Sequence, residues 1–180
     1  MQVSETTLPG VLLIEPKVFG DHRGFFMETF RRDLADAWGL PPLVQDNHSR
    51  SGRGTLRGLH FQEPHGQGKL IRVVTGQVFD VLVDVRRASP SFGKWEGHEL
   101  SGENKRQLWI PPGFAHGFCV LSEEADFLYK CSEYYHPECE RTLLWNDPEV
   151  GIRWPVDEPL LSEKDRRGMP LRELEDLPWY

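Results

Sequence analysis

Short runs of β-branched and aromatic residues, broken by glycine and proline, set the pattern of this chain. The clearest lies at 69–86, where KLIRVV and QVFDVLVDV alternate roughly with period two on either side of Thr75-Gly76. That pattern predicts two strands joined as a hairpin. Further strands are predicted at 11–16, at 24–30, at 107–121 with a turn at Pro111-Pro112-Gly113, and at 125–135. Helix is confined to two short pieces. One covers 31–38 and is ended by Gly39; the other starts near Ser162, where Ser162-Glu163-Lys164-Asp165 resembles a capping box. The 17 glycines and 14 prolines are spread along the whole length and interrupt it too often for long helices. No repeat, low-complexity tract or linker divides the chain. The expectation is one all-β domain over residues 1–180, an antiparallel sandwich or barrel, most simply a jelly roll with a few short helices.

Composition narrows the function. With 38% hydrophobic residues the chain can build a sizeable core, and its longest aliphatic run, Val11-Leu12-Leu13-Ile14, falls far short of the roughly 20 apolar residues that cross a bilayer. No membrane span is expected. The start MQVSETTLPG lacks a basic stretch leading into an apolar one, so no secretory leader is expected either. Cys119, Cys131 and Cys139 are odd in number and lack C-x-x-C spacing, which suits reduced thiols in a cytoplasm. The formal charge of −7 and pI near 5.5 oppose nonspecific binding to a nucleic-acid backbone. An anionic ligand must therefore meet a local basic cluster.

Two stretches carry candidate chemistry. Leu56-Arg57-Gly58-Leu59-His60-Phe61-Gln62 followed by Lys69 and Gly76 resembles the first motif of the cupin superfamily of jelly rolls, and Pro111-Pro112-Gly113-Phe114-Ala115-His116 resembles the second. In metal-binding cupins the two motifs supply three histidines and a glutamate. Here His60 and His116 keep their slots, Gln62 replaces the second histidine, and Lys69 stands at the glutamate position. An ammonium beside two imidazoles opposes a divalent cation and removes an anionic ligand, so no metal is expected.

Eight ordered segments extend the likeness over almost the whole chain: EPKVFGDHRGFFMETF, VQDNHS, TLRGLHFQ, GKLIRVVTGQVFDVLVDVR, ENKRQLWIPPGFAHGF, FLYK, LLWNDPEVGIRWP and LLSEKD. On these the chain resembles the dTDP-sugar epimerases, the dTDP-4-dehydrorhamnose 3,5-epimerase family. The resemblance implies a cupin-type jelly-roll homodimer without metal or organic cofactor that inverts C3 and C5 of a dTDP-linked 4-keto-6-deoxy sugar. It implies His60 as base, Asp165 as its partner and Tyr129 as the acid on the opposite face, while Lys69, a cation in a cupin metal slot, offers an enolate the positive charge that a metal offers elsewhere. It further implies ligand contacts from Arg23, Glu28, Gln45, Asp46, Asn47, Arg57, His116, Glu140 and Lys164, with Tyr135 stacked on the thymine. Arg23 and Glu28 would reach across from the partner subunit.

Read without the resemblance, several of these residues have plainer roles. Asp165 is a helix-capping carboxylate, Tyr129 a core aromatic with a bonded hydroxyl, and Lys69 a solvated lysine at the start of a strand. Histidine is the natural base near neutral pH, and Asp80, inside the apolar alternation VFDVLVDV, needs a partner such as His116. The rival readings are a C3-only or C5-only epimerase, a metal-dependent cupin oxygenase or isomerase, and a noncatalytic sugar-binding jelly roll.

Overall fold

The computed structural model describes residues 1–180. The strands are β1 (Gln2–Glu5), β2 (Leu12–Glu15), β3 (Val18–Asp21), β4 (Gly24–Met27), β5 (Gln45–Gly52), β6 (Leu56–Gln62), β7 (Lys69–Thr75), β8 (Gln77–Asp84), β9 (Trp95–Ser101), β10 (Gln107–Ile110), β11 (Phe114–Val120), β12 (Glu124–Cys131) and β13 (Glu140–Thr142). Helix α1 (Arg32–Ala37) is followed by Gly39 with φ +75°, and α2 (Glu163–Arg166) is capped by Ser162, as the sequence suggests.

The strands form a jelly-roll sandwich. A six-stranded antiparallel sheet, β1-β2-β10-β7-β12-β5, faces a five-stranded one, β13-β6-β11-β8-β9, while β3 and β4 form a separate ribbon. Val11, Ile71, Val73, Val78, Leu82, Leu108, Ile110 and Phe127 interdigitate between the sheets. There Phe118 and Phe127 stack with centroids 4.1 Å apart. The outer face of the five-stranded sheet is covered by the C-terminal segment, where Leu143, Leu171, Leu174 and Leu177 pack on Leu59, Phe61, Val81 and Val83. On the other side, Ala35 of α1 and Leu40 cover Ile14, Leu70 and Trp109. Burial on both faces explains why β7 and β8 read as nearly continuous apolar runs.

The predicted hairpin at 69–86 does not form. β7 belongs to one sheet and β8 to the other, and the single residue between them, Gly76, turns the chain across the sandwich. Its φ is +78°, and a Cβ there would collide with the Glu124 carbonyl. The predicted strand pair at 107–121 divides in the same way, β10 joining the six-stranded sheet and β11 the five-stranded one. One residue is too short for a hairpin turn but suffices for a corner between stacked sheets.

Candidate active site

A cavity of about 400 Å³ opens between the sheets. The six-stranded sheet lines it with Lys69 from β7, Tyr129 from β12, and Gln45, Asn47 and Ser49 from β5. Alternation selects these residues. On β5 the inward Gln45, Asn47 and Ser49 lie opposite Cys131, Tyr129 and Phe127 of β12, and the residues between them face out. Asp46 is one of those: it pairs with Lys130 at 2.8 Å on the far face and does not line this cavity.

The five-stranded sheet contributes Arg57 and His60 from β6 and His116 from β11. His60 lies opposite His116 and Arg57 opposite Phe118, so three steps on β6 match two on β11. This bulge turns Arg57 and His60, three residues apart, to the same side. It needs a close approach of the two backbones, which Gly58 and Gly117 allow: a Cβ on Gly58 would sit 2.7 Å from the Gly117 Cα.

His60 Nε2 lies 2.6 Å from Asp165 Oδ1. Burial pushes the Asp165 carboxyl up, but the bonds from His60 and from the Ser162 hydroxyl (2.7 Å) outweigh it and hold Asp165 below its ordinary value. A carboxylate only accepts, so Nε2 carries hydrogen and Nδ1 the lone pair. Lys69 is 8% exposed and donates to the His60 carbonyl at 3.3 Å. Burial pushes its ammonium down, against the pull of Cys131, Glu140 and Asp80. Tyr129 is pushed up, first by burial and then by Cys131 and Glu140, so its phenol keeps its proton. A second pair joins His116 Nε2 to Asp80 Oδ2 at 2.8 Å. Asp80 is 0% exposed and burial raises its carboxyl, with His116 opposing.

At the mouth, Glu140 Oε2 accepts from Lys164 at 2.7 Å and from the Tyr135 hydroxyl at 2.8 Å. Arg57 donates to Ser51 Oγ at 2.9 Å and keeps the rest of its guanidinium for the cavity. Arg23 and Glu28 lie outside the cavity of their own chain. Arg23, 79% exposed, pairs with Asp21 on the β3–β4 ribbon, and Glu28 is 3.9 Å from Arg31. Ser49, Gln67 and Ser162 also line the cavity, and sequence reasoning did not single them out as site residues. Ser162 was legible only as a cap, while Ser49 could have been found by extending the alternation of 45 and 47. No three His, Cys, Asp or Glu side chains converge as a metal site would require. Gln62, in the metal-histidine slot, has its amide bonded to backbone instead.

Chemically, the cavity sets a histidine–carboxylate base on one sheet against a protonated phenol on the other, with a buried ammonium beside the base. That arrangement suits proton removal from one face of a carbon and return to the other, with charge stabilised between the steps.

Comparison with known proteins agrees. Residues 5–173 match the family described as dTDP-4-dehydrorhamnose 3,5-epimerase. The dTDP-4-dehydrorhamnose 3,5-epimerase of Pseudomonas aeruginosa is 57% identical, covering 99% of this chain and 100% of that protein. The crystal structure of the dTDP-6-deoxy-D-glucose-3,5-epimerase of Legionella pneumophila in complex with dTDP-4-keto-L-rhamnose superposes with a TM-score of 0.96 at 51% identity, over 99% of this chain and 98% of that one. A more distant relative, the dTDP-4-dehydrorhamnose 3-epimerase of Streptomyces niveus, is 41% identical over 100% of this chain and 90% of its own length.

Proposed function

The chain belongs to the dTDP-4-dehydrorhamnose 3,5-epimerase family, and on that footing we propose how its cavity turns dTDP-4-dehydro-6-deoxy-D-glucose into dTDP-4-dehydro-L-rhamnose. It is an isomerase acting on carbohydrates, a 3,5-epimerase of dTDP-L-rhamnose biosynthesis. C3 and C5 both flank the C4 ketone, so loss of either proton sends negative charge to the ketone oxygen as an enolate. His60 Nδ1 takes the proton, and the imidazolium forms against Asp165, 2.6 Å away. Lys69 meets the enolate oxygen, and Tyr129 returns a proton on the opposite face. Each acid–base group contributes on the order of 10²–10⁴-fold.

The observation that carries this reading is the placement of His60, backed by Asp165, and the half-buried Tyr129 on opposite sheets of one cavity. Arg57 and Lys164 meet the diphosphate, where guanidinium and ammonium donors suit phosphate oxygens. Tyr135 stacks on the thymine, and Gln45, Asn47, His116 and Glu140 bond the base and sugar. Turnover needs no metal, because Lys69 supplies the positive charge that a metal supplies elsewhere. The protein acts in the cytoplasm as a homodimer joined through the β3–β4 ribbon, whose Phe19, Phe25 and Phe26 are exposed. No helix is long and apolar enough to cross a membrane.

The test is turnover of dTDP-4-dehydro-6-deoxy-D-glucose in deuterated water. Deuterium is expected at both C3 and C5. Label at C3 alone would make the protein a 3-epimerase like its Streptomyces niveus relative, and label at neither carbon would refute catalysis on this sugar.

A further inference from the structure

The segment after β12, residues 132–136, carries Tyr135 to the cavity mouth and belongs to no strand. Side chains of three glutamines fasten its backbone residue by residue. Gln67 Nε2 donates to the Glu133 carbonyl at 2.9 Å. Gln62 Nε2 donates to the Tyr134 carbonyl at 3.2 Å, and its Oε1 accepts from the His136 N–H at 2.8 Å. Gln45 Oε1 accepts from the Tyr135 N–H at 2.9 Å. Ser132 closes the series by exchanging bonds with Gly68 at 2.8 and 2.9 Å.

Gln62 is 4% exposed, and its second Nε2 hydrogen goes to the His65 carbonyl at 2.8 Å, so both donors and the acceptor are engaged. It does not line the cavity. Neither a histidine nor a glutamate could serve all three backbone groups, since neither offers two donors and an acceptor in one planar head. Fixing the backbone of a loop residue costs conformational entropy, a cost that falls on binding unless the fold has already met it.

We propose that Gln62 and Gln67, together with Gln45, are positioning residues that hold the 132–136 loop so that Tyr135 presents its ring to a planar nucleobase. Gln62 acts through the backbone and touches no substrate. This rests on the reading that Tyr135 stacks on the thymine, and the experiment separates the two.

Binding of dTDP and of inorganic pyrophosphate to the full chain is measured by titration calorimetry, with steady-state kinetics alongside. Tyr135→Ala tests the stacking itself: a loss of about tenfold in dTDP affinity is expected, with pyrophosphate unchanged. No loss there removes the stacking reading. Gln62→Leu is expected to weaken dTDP by a similar factor and raise KM, with kcat and pyrophosphate affinity held within about twofold. The Gln62→Leu/Tyr135→Ala double variant should bind dTDP no more weakly than Tyr135→Ala alone, because both remove one contact. Gln67→Leu, which removes a single tie, should lose about threefold and serves if Gln62→Leu does not fold. The proposal is overturned if Tyr135→Ala weakens dTDP while neither glutamine variant does, if the losses add, or if pyrophosphate affinity falls by the same factor as dTDP.

Discussion

Lys69 shows at the scale of one residue how stability is given up for chemistry. Its ammonium is almost fully desolvated, so the unfolded chain binds that proton more tightly than the folded one. With the folded pKa below the unfolded one, stability rises with pH between the two, and the full cost is borne below the folded value. Lys69→Met, which keeps the bulk and drops the charge, should therefore melt at or above the wild-type temperature while kcat falls on the order of 10²–10³-fold. Calorimetry and kinetics on the same preparation check both halves, and a large loss of stability would show that the lysine is a structural ion-pair member. The same direction of shift places an alkaline decline of kcat/KM in the wild type below the range of an ordinary lysine. Asp165, by contrast, partners His60 and is not the capping carboxylate its place in SEKD suggests. The cap is Ser162, whose Oγ accepts from the Asp165 amide at 3.1 Å and donates to the same carboxylate that takes His60, so one serine both caps the helix and supports the base partner.

That double duty makes α2, only four residues long, the element on which the base depends. Ser162 both caps the helix and donates to Asp165 Oδ2, so Ser162→Ala removes a cap and one of the bonds that hold the carboxylate down. We expect a loss of about 1 kcal/mol of stability and a fall in kcat that exceeds any change in KM. Since the Asp165 pKa is lowered by folding, the stability it confers is present above its unfolded value and lost as pH falls through the folded one. In Ser162→Ala that loss begins at higher pH, which acid denaturation followed by circular dichroism would show. The strands themselves were legible because apolar alternation is local, but their partners were not. Nothing in KLIRVVTGQVFDVLVDV distinguishes a hairpin from a corner, since both need strand, glycine, strand; only the packing of two sheets decides it. Alternation turns Asp46 away from the cavity that Gln45 and Asn47 line, although the resemblance implies ligand contacts from all three. The glutamine ties were illegible for the opposite reason: each joins residues far apart in sequence through a side chain with no pattern of its own.

Across the whole molecule, a chain of net charge −7 concentrates Arg57, Lys69 and Lys164 at one cavity, a local positive field that suits a diphosphate ligand despite the acidic whole. The β3–β4 ribbon pairs with neither sheet and carries Phe25 and Phe26, 60% and 69% exposed, next to Arg23. An exposed apolar ribbon edged with a cation fits delivery of Arg23 and Glu28 to a second copy of the chain. Mixing subunits tests this directly. An Arg23→Ala homodimer has no Arg23 at either site, and a His60→Ala homodimer has no base at either site. In a mixed dimer, if Arg23 crosses over, one site receives His60 from the first chain and Arg23 from the second and is intact, while the other site carries both lesions. Equal mixing makes half the dimers mixed, each with one working site, so about a quarter of wild-type activity should return. If Arg23 served its own chain, every site in the mixture would carry one lesion and activity would stay at the mean of the two parents.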